Sequence, residues 1–193
     1  MGNMAATPDT SQRILDIAER LVQTRGFNGF SYADIAQAMK VTKASLHYHF
    51  PAKADLGARL IERYERNFLA ALQAIDAKGK DARDKLRRYA GIYEDVLRDN
   101  RMCLCGMLAA EFGTLPKPMR EDMRHFFDEN ERWLVGVLEE GRREKTLKFA
   151  GAASEVAQAL IGSLEGALMI ARSYADVGRF SAVKERMLKD LSV

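Results

Sequence analysis

The sequence predicts an all-α protein, with a three-helix helix-turn-helix module at the N-terminus and a larger helical module behind it. Three observations carry that expectation. Apolar residues recur at helical spacing from Ile14 to Leu191. Glycines, prolines and Ser, Thr or Asp caps fall between the periodic runs. No segment alternates apolar and polar residues as a half-buried strand would.

The first helix, about residues 11 to 25, has Ile14, Leu15, Ile17, Ala18, Leu21 and Val22 as its apolar side, and Gly26 ends it behind Arg25. Ser31, with Asp34 three positions on, has the pattern of a capping box and opens a short helix through Ile35, Ala36 and Met39. Thr42 opens the third, to Phe50, by accepting from the backbone N–H of Ala44 or Ser45; Val41, Leu46 and Phe50 supply its apolar side and Pro51 closes it. A long amphipathic helix follows from Lys53 to about Ala77, through Leu60, Ile61, Tyr64 and Phe68, and Gly79 ends it. Asp81 with Asp84 opens the next, which carries Leu86, Tyr89, Tyr93 and Leu97. A short helix from Cys103 to Phe112 precedes a break at Gly113, Pro116 and Pro118. Helices from Met119 to about Glu144, Ala152 to Tyr174 and Phe180 to Leu191 complete the chain.

With 193 residues, 47% of them hydrophobic and 30% charged, the chain has the composition of a globular helical protein, and its formal charge of +3 permits contact with polyanions without indicating it. Cys103 and Cys105 are the only cysteines, and their spacing argues against a disulfide framework and for a reducing compartment. Met1 to Thr10 lacks the basic and apolar regions of a signal peptide, Gly2 lacks the Ser or Thr that myristoylation wants at Ala6, and no apolar run reaches the roughly 18 residues of a membrane span. A cytoplasmic protein with no membrane partner is expected.

At about 100° per residue, with Leu46 inward, Ala44, Ser45, His47 and Tyr48 point outward while Phe50 stays near the inner face. Ser45 and His47 can hydrogen-bond a base edge or a phosphate, Tyr48 can meet a phosphate or a thymine methyl, and Ala44 allows close approach. Lys43 and Lys53 add charge for phosphates, and the helix N-termini near Tyr32 and Lys53 offer backbone N–H groups. With Thr42 and His49, these residues are the candidate DNA-binding set. His47 and His49 lie about 200° apart and have no acidic or thiol partner nearby, so no metal site is expected, and no motif calls for a cofactor.

The run from Gly26-Phe27 through Tyr32-Ala33-Asp34-Ile35-Ala36 to Val41-Thr42-Lys43-Ala44-Ser45-Leu46-His47-Tyr48-His49-Phe50-Pro51-Ala52-Lys53 resembles the DNA-binding region of the TetR family of transcriptional regulators. The resemblance covers about residues 11 to 60, and the remainder is similar to that family in length and helical pattern. It implies a DNA-binding domain over residues 1–52 and an effector-binding and dimerisation domain over 53–193, acting on a double-stranded DNA operator as a homodimeric repressor released by a small apolar effector. Half-sites about 34–36 Å apart also require two recognition helices. Two positions depart from the family pattern: Lys40 stands where a glycine usually ends the second helix, and His47 stands where the recognition helix usually has tyrosine, with Tyr48 next to it.

In the second module, Val156 to Ala171 is apolar on more than one face and rich in small residues. Ile161, Gly162, Leu164, Glu165 and Leu168, with Met187 beyond, form the expected dimer interface. Tyr89, Tyr93, Cys103, Met107, Phe112, Met123, Phe126 and Phe127 form the expected effector pocket, with Glu111, Asn130 and Glu165 as groups able to orient a ligand. Cys103 to Glu111 is similar to the corresponding helix of redox- or electrophile-responsive family members. A switch there requires an exposed thiol of lowered pKa, and Arg101 is the one cation close in sequence. Against an enzyme stand the missing phosphate-binding glycine loop, metal cluster and nucleophile–base set. An architectural DNA-binding protein without an effector is the third reading.

Overall fold

The computed structural model describes residues 9–192; the reading of Met1 to Pro8 lies outside the described residues. Within them nine α-helices follow in order: α1 (Thr10–Arg25), α2 (Tyr32–Met39), α3 (Lys43–His49), α4 (Lys53–Lys78), α5 (Ala82–Arg98), α6 (Leu104–Ala110), α7 (Lys117–Arg143), α8 (Ala153–Ser173) and α9 (Val177–Asp190), with a 3-10 turn at Phe112–Thr114. No strand is present among them beyond an isolated antiparallel bridge between Leu147 and Ser192.

Helices α1 to α3 close around Ile14, Ala18, Ile35 and Leu46, each at most 1% exposed. Local chemistry fixes their ends. Ser31 and Asp34 complete the expected box, Ala33 N–H donating to Ser31 Oγ at 3.2 Å and Ser31 N–H to Asp34 Oδ2 at 2.8 Å. Thr42 Oγ1 accepts from Ser45 N–H at 3.3 Å. Between α2 and α3, Lys40 adopts φ 57° and ψ 44°, the left-handed conformation that glycine takes without steric penalty. The turn therefore keeps its tight form without the glycine, and Val41 N–H closes it on Ala36 O at 3.0 Å. Val41 was expected on the apolar side of α3 but is 37% exposed, because the turn carries it out of the core.

The 26 residues of α4 span about 39 Å and join the two modules. Near its N-terminus Arg63, 9% exposed, reaches Asp16 at 2.6 Å and Glu19 at 2.5 Å on α1. Farther along, α4 packs against α7 and α5, while α8 packs on α7 and α9, and α9 returns to α5. Two helices start earlier than the apolar pattern indicates. Pro118 is accommodated in the first turn of α7, where a missing N–H costs nothing. At α9, Asp176 caps Gly178 N–H at 2.9 Å, so the helix begins at Val177 and Phe180 lies one turn inside it.

Candidate nucleic-acid interface

On α3 the helical period sorts the residues as expected. Leu46 (1% exposed) and Phe50 (6%) anchor it to the core, Lys43, Ala44 and His47 are exposed, Ser45 and His49 are half-buried, and Tyr48 is 84% exposed. At that exposure most of the Tyr48 ring is open to a partner, with His49 in edge-to-face contact at 5.3 Å. Beside it, Ser31, Tyr32, Ala33, Lys43, His47 and Lys53 line a concavity of about 340 Å³ where the N-termini of α2 and α4 meet α3.

Three of the expected contact residues serve the scaffold as well as, or instead of, a ligand. The Tyr32 ring is buried and its hydroxyl donates to Phe50 O at 2.7 Å, so the side chain pins the end of α3 and is not free for a phosphate. Burial, helped by Asp55, pushes that phenol up to about 12. Lys53 donates to the carbonyls of Phe27 and Phe30, its ammonium 4.7 and 4.2 Å from their ring centroids. It ties down the α1–α2 turn, and burial lowers its pKa. His47 packs on Tyr32 with ring centroids 4.7 Å apart, and its Nδ1 lies 3.0 Å from Pro51 O. A carbonyl only accepts, so Nδ1 carries the proton in this hydrogen bond. Among the described residues no group of His, Cys, Asp and Glu could hold a metal ion.

In the second module Tyr89, Tyr93, Cys103, Met123 and Phe126 are buried together, with Met107 and Phe127 half-buried beside them. With Tyr64 and Phe68 the rings form a continuous chain of tilted and edge-to-face contacts: Tyr64 to Phe126 at 5.6 Å, Phe126 to Phe68 at 5.0 Å, Phe68 to Tyr89 at 6.3 Å and Tyr89 to Tyr93 at 5.5 Å. Phe112 is placed differently, between the guanidinium groups of Arg120 and Arg124 at 5.4 and 5.1 Å.

Of the three candidate orienting groups, Asn130 and Glu165 reach this cluster. Glu111 does not: its carboxylate accepts from Phe27 N–H at 2.6 Å and Asn28 N–H at 3.2 Å, strapping α6 to the DNA-binding module. Arg172 of α8 adds a second strap, donating to Thr24 O at 2.7 Å at the end of α1. Sequence reasoning had no signal for either, since both join residues more than 80 positions apart.

The thiols are placed against a redox switch of the expected kind. Cys103 and Cys105 are 1% and 0% exposed. Burial first, and the Glu165 carboxylate next, push Cys103 well above its usual range, while Arg101 turns away to Gln23 and Asp99. On α8, Leu164 and Leu168 are buried inside the subunit and Glu165 turns inward, so these three do not face outward for a partner. Gly162 remains exposed, Ile161 and Met187 are half-buried, and Met169, Ile170, Tyr174 and Val183 are the large apolar side chains left in solvent on α8, its C-cap and α9.

Two short helices crossing at a tight turn, with the second turned outward beside a basic concavity, define a helix-turn-helix DNA-binding protein. Comparison with known proteins agrees over both modules: residues 14–60 match the family model for bacterial regulatory proteins of the tetR family, and residues 82–187 match the tetracyclin repressor-like C-terminal domain. The chain is 25% identical over 170 residues to the HTH-type transcriptional repressor DhaR of Mycobacterium sp. (strain GP1), covering 86% of this chain and 83% of that protein. Its fold superposes on a TetR-family regulator from Agrobacterium tumefaciens with a TM-score of 0.92 and 32% identity, over 95% and 97% of the two chains. The reduced form of E. coli NemR gives a TM-score of 0.82 and 25% identity, over 96% and 98%. The chain belongs to the TetR family of transcriptional regulators, which bind DNA operators as dimers and are not enzymes. No helix among the described residues is long and apolar enough to cross a membrane.

Proposed function

We propose that this chain is a cytoplasmic homodimeric repressor that grips a pseudo-palindromic operator with α3 of each protomer and releases it when a small molecule occupies the second module. The observation that carries the reading is the outward face of α3. Ala44, His47 and Tyr48 stand exposed beside Lys43 and half-buried Ser45, while Leu46 and Phe50 hold the helix against the core. Tyr48 and Lys43 meet phosphate or a thymine methyl, Ser45 and His47 Nε2 read base edges, and Ala44 lets the helix approach. Thr42 and Tyr32 act by setting the ends of helices, Lys53 by bracing the α1–α2 turn beside the phosphates, and His49 by packing on Tyr48, 5.3 Å between rings.

The DNA-binding domain ends at residue 52, and α4 begins the effector and dimerisation domain. The aromatic cluster of α4, α5 and α7 is the effector site, and Gly162, Met169, Ile170, Tyr174 and Val183 are the centre of the dimer face. The straps from Glu111 and Arg172 give effector binding a direct mechanical route to α1, since moving α6 or α8 pulls on the end of that helix. Sensing by thiol oxidation is the weaker reading, because neither sulfur is exposed or electrostatically activated.

The test is fluorescence anisotropy with duplex DNA from beside the chain's own gene. Specific binding at moderate salt, at least 1,000-fold or so tighter than to random duplex, is the expected result. Equal affinity for both duplexes would leave only architectural binding.

A further inference from the structure

The aromatic cluster contains two acceptor atoms with no hydrogen-bond partner, although the Cys103 thiol lies beside the Glu165 carboxyl. Asn130 is 0% exposed, and its Oδ1 has no hydrogen-bond partner although its Nδ2 donates to Tyr93 OH at 3.3 Å. Glu165 Oε1 is likewise buried with no partner. Both are acceptors, and one belongs to a carboxyl group. The sequence makes room for that carboxyl: a Cβ at Gly106 would collide with it. Near it stand Tyr64, whose hydroxyl contacts Cys103 Sγ at 3.6 Å, and Tyr89 and Tyr93, with Phe126 and Phe68 packed on Tyr64 and Tyr89 in turn. No lysine or arginine pairs with Glu165 among the described residues, whereas the buried carboxylate of Glu94 has Lys184 at 2.6 Å.

A buried acid with aromatic walls and no counter-charge lacks a donor that carries positive charge. Such a group would donate to the carboxylate and sit against the negative faces of the rings. A ligand anion would meet the Glu165 carboxylate inside the cluster, while the one cation on the approach, Arg101, is engaged by Asp99 and Gln23. We propose that the effector site takes a protonated amine with an aromatic or short aliphatic body, its ammonium on Glu165 and a second polar hydrogen for Asn130. The approach is the groove of about 210 Å³ between α1, α4 and α5, lined by Glu19, Gln23, Asn67 and Arg101, with Tyr64 and Phe68 as the wall shared with the cluster. The consequence for DNA rests on the effector reading above; the ligand's charge does not.

Binding is then linked to the ionisation of Glu165. Burial raises its pKa to about 7. The titratable groups facing it are Tyr64 from α4, Tyr89 and Tyr93 from α5, and Cys103 and Cys105 at α6, all held up by burial and neutral between pH 6 and 8; α7 presents Asn130 and Phe126, which do not titrate there. Between pH 6 and pH 8 the carboxylate fraction rises from about one-tenth to about nine-tenths, so ammonium affinity rises roughly ten-fold.

Calorimetry on the full chain with 2-phenylethylamine, 2-phenylethanol and 3-phenylpropionate reads this directly, since the three share a body and differ in charge. The amine is expected to bind at least ten-fold tighter than the alcohol, with no binding by the acid, and to tighten about ten-fold from pH 6 to 8. Glu165→Gln is expected to lose both the preference and the pH dependence while melting as a folded protein. The wild-type pH series tests the same point without any variant. Equal binding of alcohol and amine, tighter binding of the acid, no binding of the amine, or an amine affinity unchanged in Glu165→Gln would each overturn the proposal. Operator anisotropy separates the two readings: an amine that binds as described and leaves operator affinity unchanged upholds the amine site and refutes the release mechanism. Release by a neutral or anionic compound alone does the reverse.

Discussion

At the scale of single residues, side chains that look interchangeable in the sequence divide into those that face a ligand and those that hold the face in place. Tyr32 and Tyr48 are both tyrosines of the helix-turn-helix, yet one hydroxyl is buried on Phe50 O and the other ring is 84% exposed. Tyr32→Phe removes the partner of a buried carbonyl and should cost about 1 kcal/mol or somewhat more in stability, measured by urea unfolding. Glu165 carries a second prediction. Its pKa stands near 7 in the folded chain against 4.5 for an ordinary glutamate, so the unfolded chain gives up this proton first. The folded state is favoured below pH 4.5, and that advantage is lost as pH rises through 7. Glu165→Gln should therefore be more stable than wild type at pH 8, by up to about 3 kcal/mol, and should lose that margin by pH 4.5 in a series of melting curves. The helical period alone separates Leu46 from Tyr48, so the outward face of α3 was legible. The roles of Tyr32, Lys53 and Glu111 were not, because each depends on a backbone group that only the fold brings near.

At the scale of helices, start and stop chemistry was readable wherever a side chain does the capping: Ser31, Thr42 and Asp81 all cap as their spacing implies. Asp176 does the same for α9, but the apolar run starts only at Phe180 and hides it. The sides of α8 were harder to assign, since a helix apolar on several faces has a weak periodic signal; Leu164 and Leu168 turn to the core while Ile170 turns to solvent. The α2–α3 turn gives a prediction for this scale. Lys40 holds a left-handed conformation that costs a residue with a Cβ about 1 kcal/mol relative to glycine, and its side chain is exposed. Lys40→Gly should raise the midpoint of thermal unfolding by a few degrees and leave α3 in place. A lowered midpoint would mean that the lysine side chain makes a favourable contact there.

At the scale of the whole molecule, the two modules are one mechanical unit: α4 runs through both, Arg63 pairs across to α1, and α6 and α8 grip the end of α1 through Glu111 and Arg172. A dimer must use what this packing leaves outside. Met169, Ile170 and Tyr174 are each more than half exposed. Ile170→Asp should therefore convert a dimer to a monomer in sedimentation velocity at micromolar concentration with little change in helical content; a variant that stays dimeric would place the interface elsewhere. Operator affinity should fall with it, since two half-sites are then read by independent chains. The central claim, that α3 is the element that reads DNA, is tested most directly by operator anisotropy with His47→Ala and Tyr48→Ala. Each removes an exposed side chain and should lower specific affinity by about 1–3 kcal/mol while leaving the melting temperature unchanged; full operator affinity retained in both variants would contradict it.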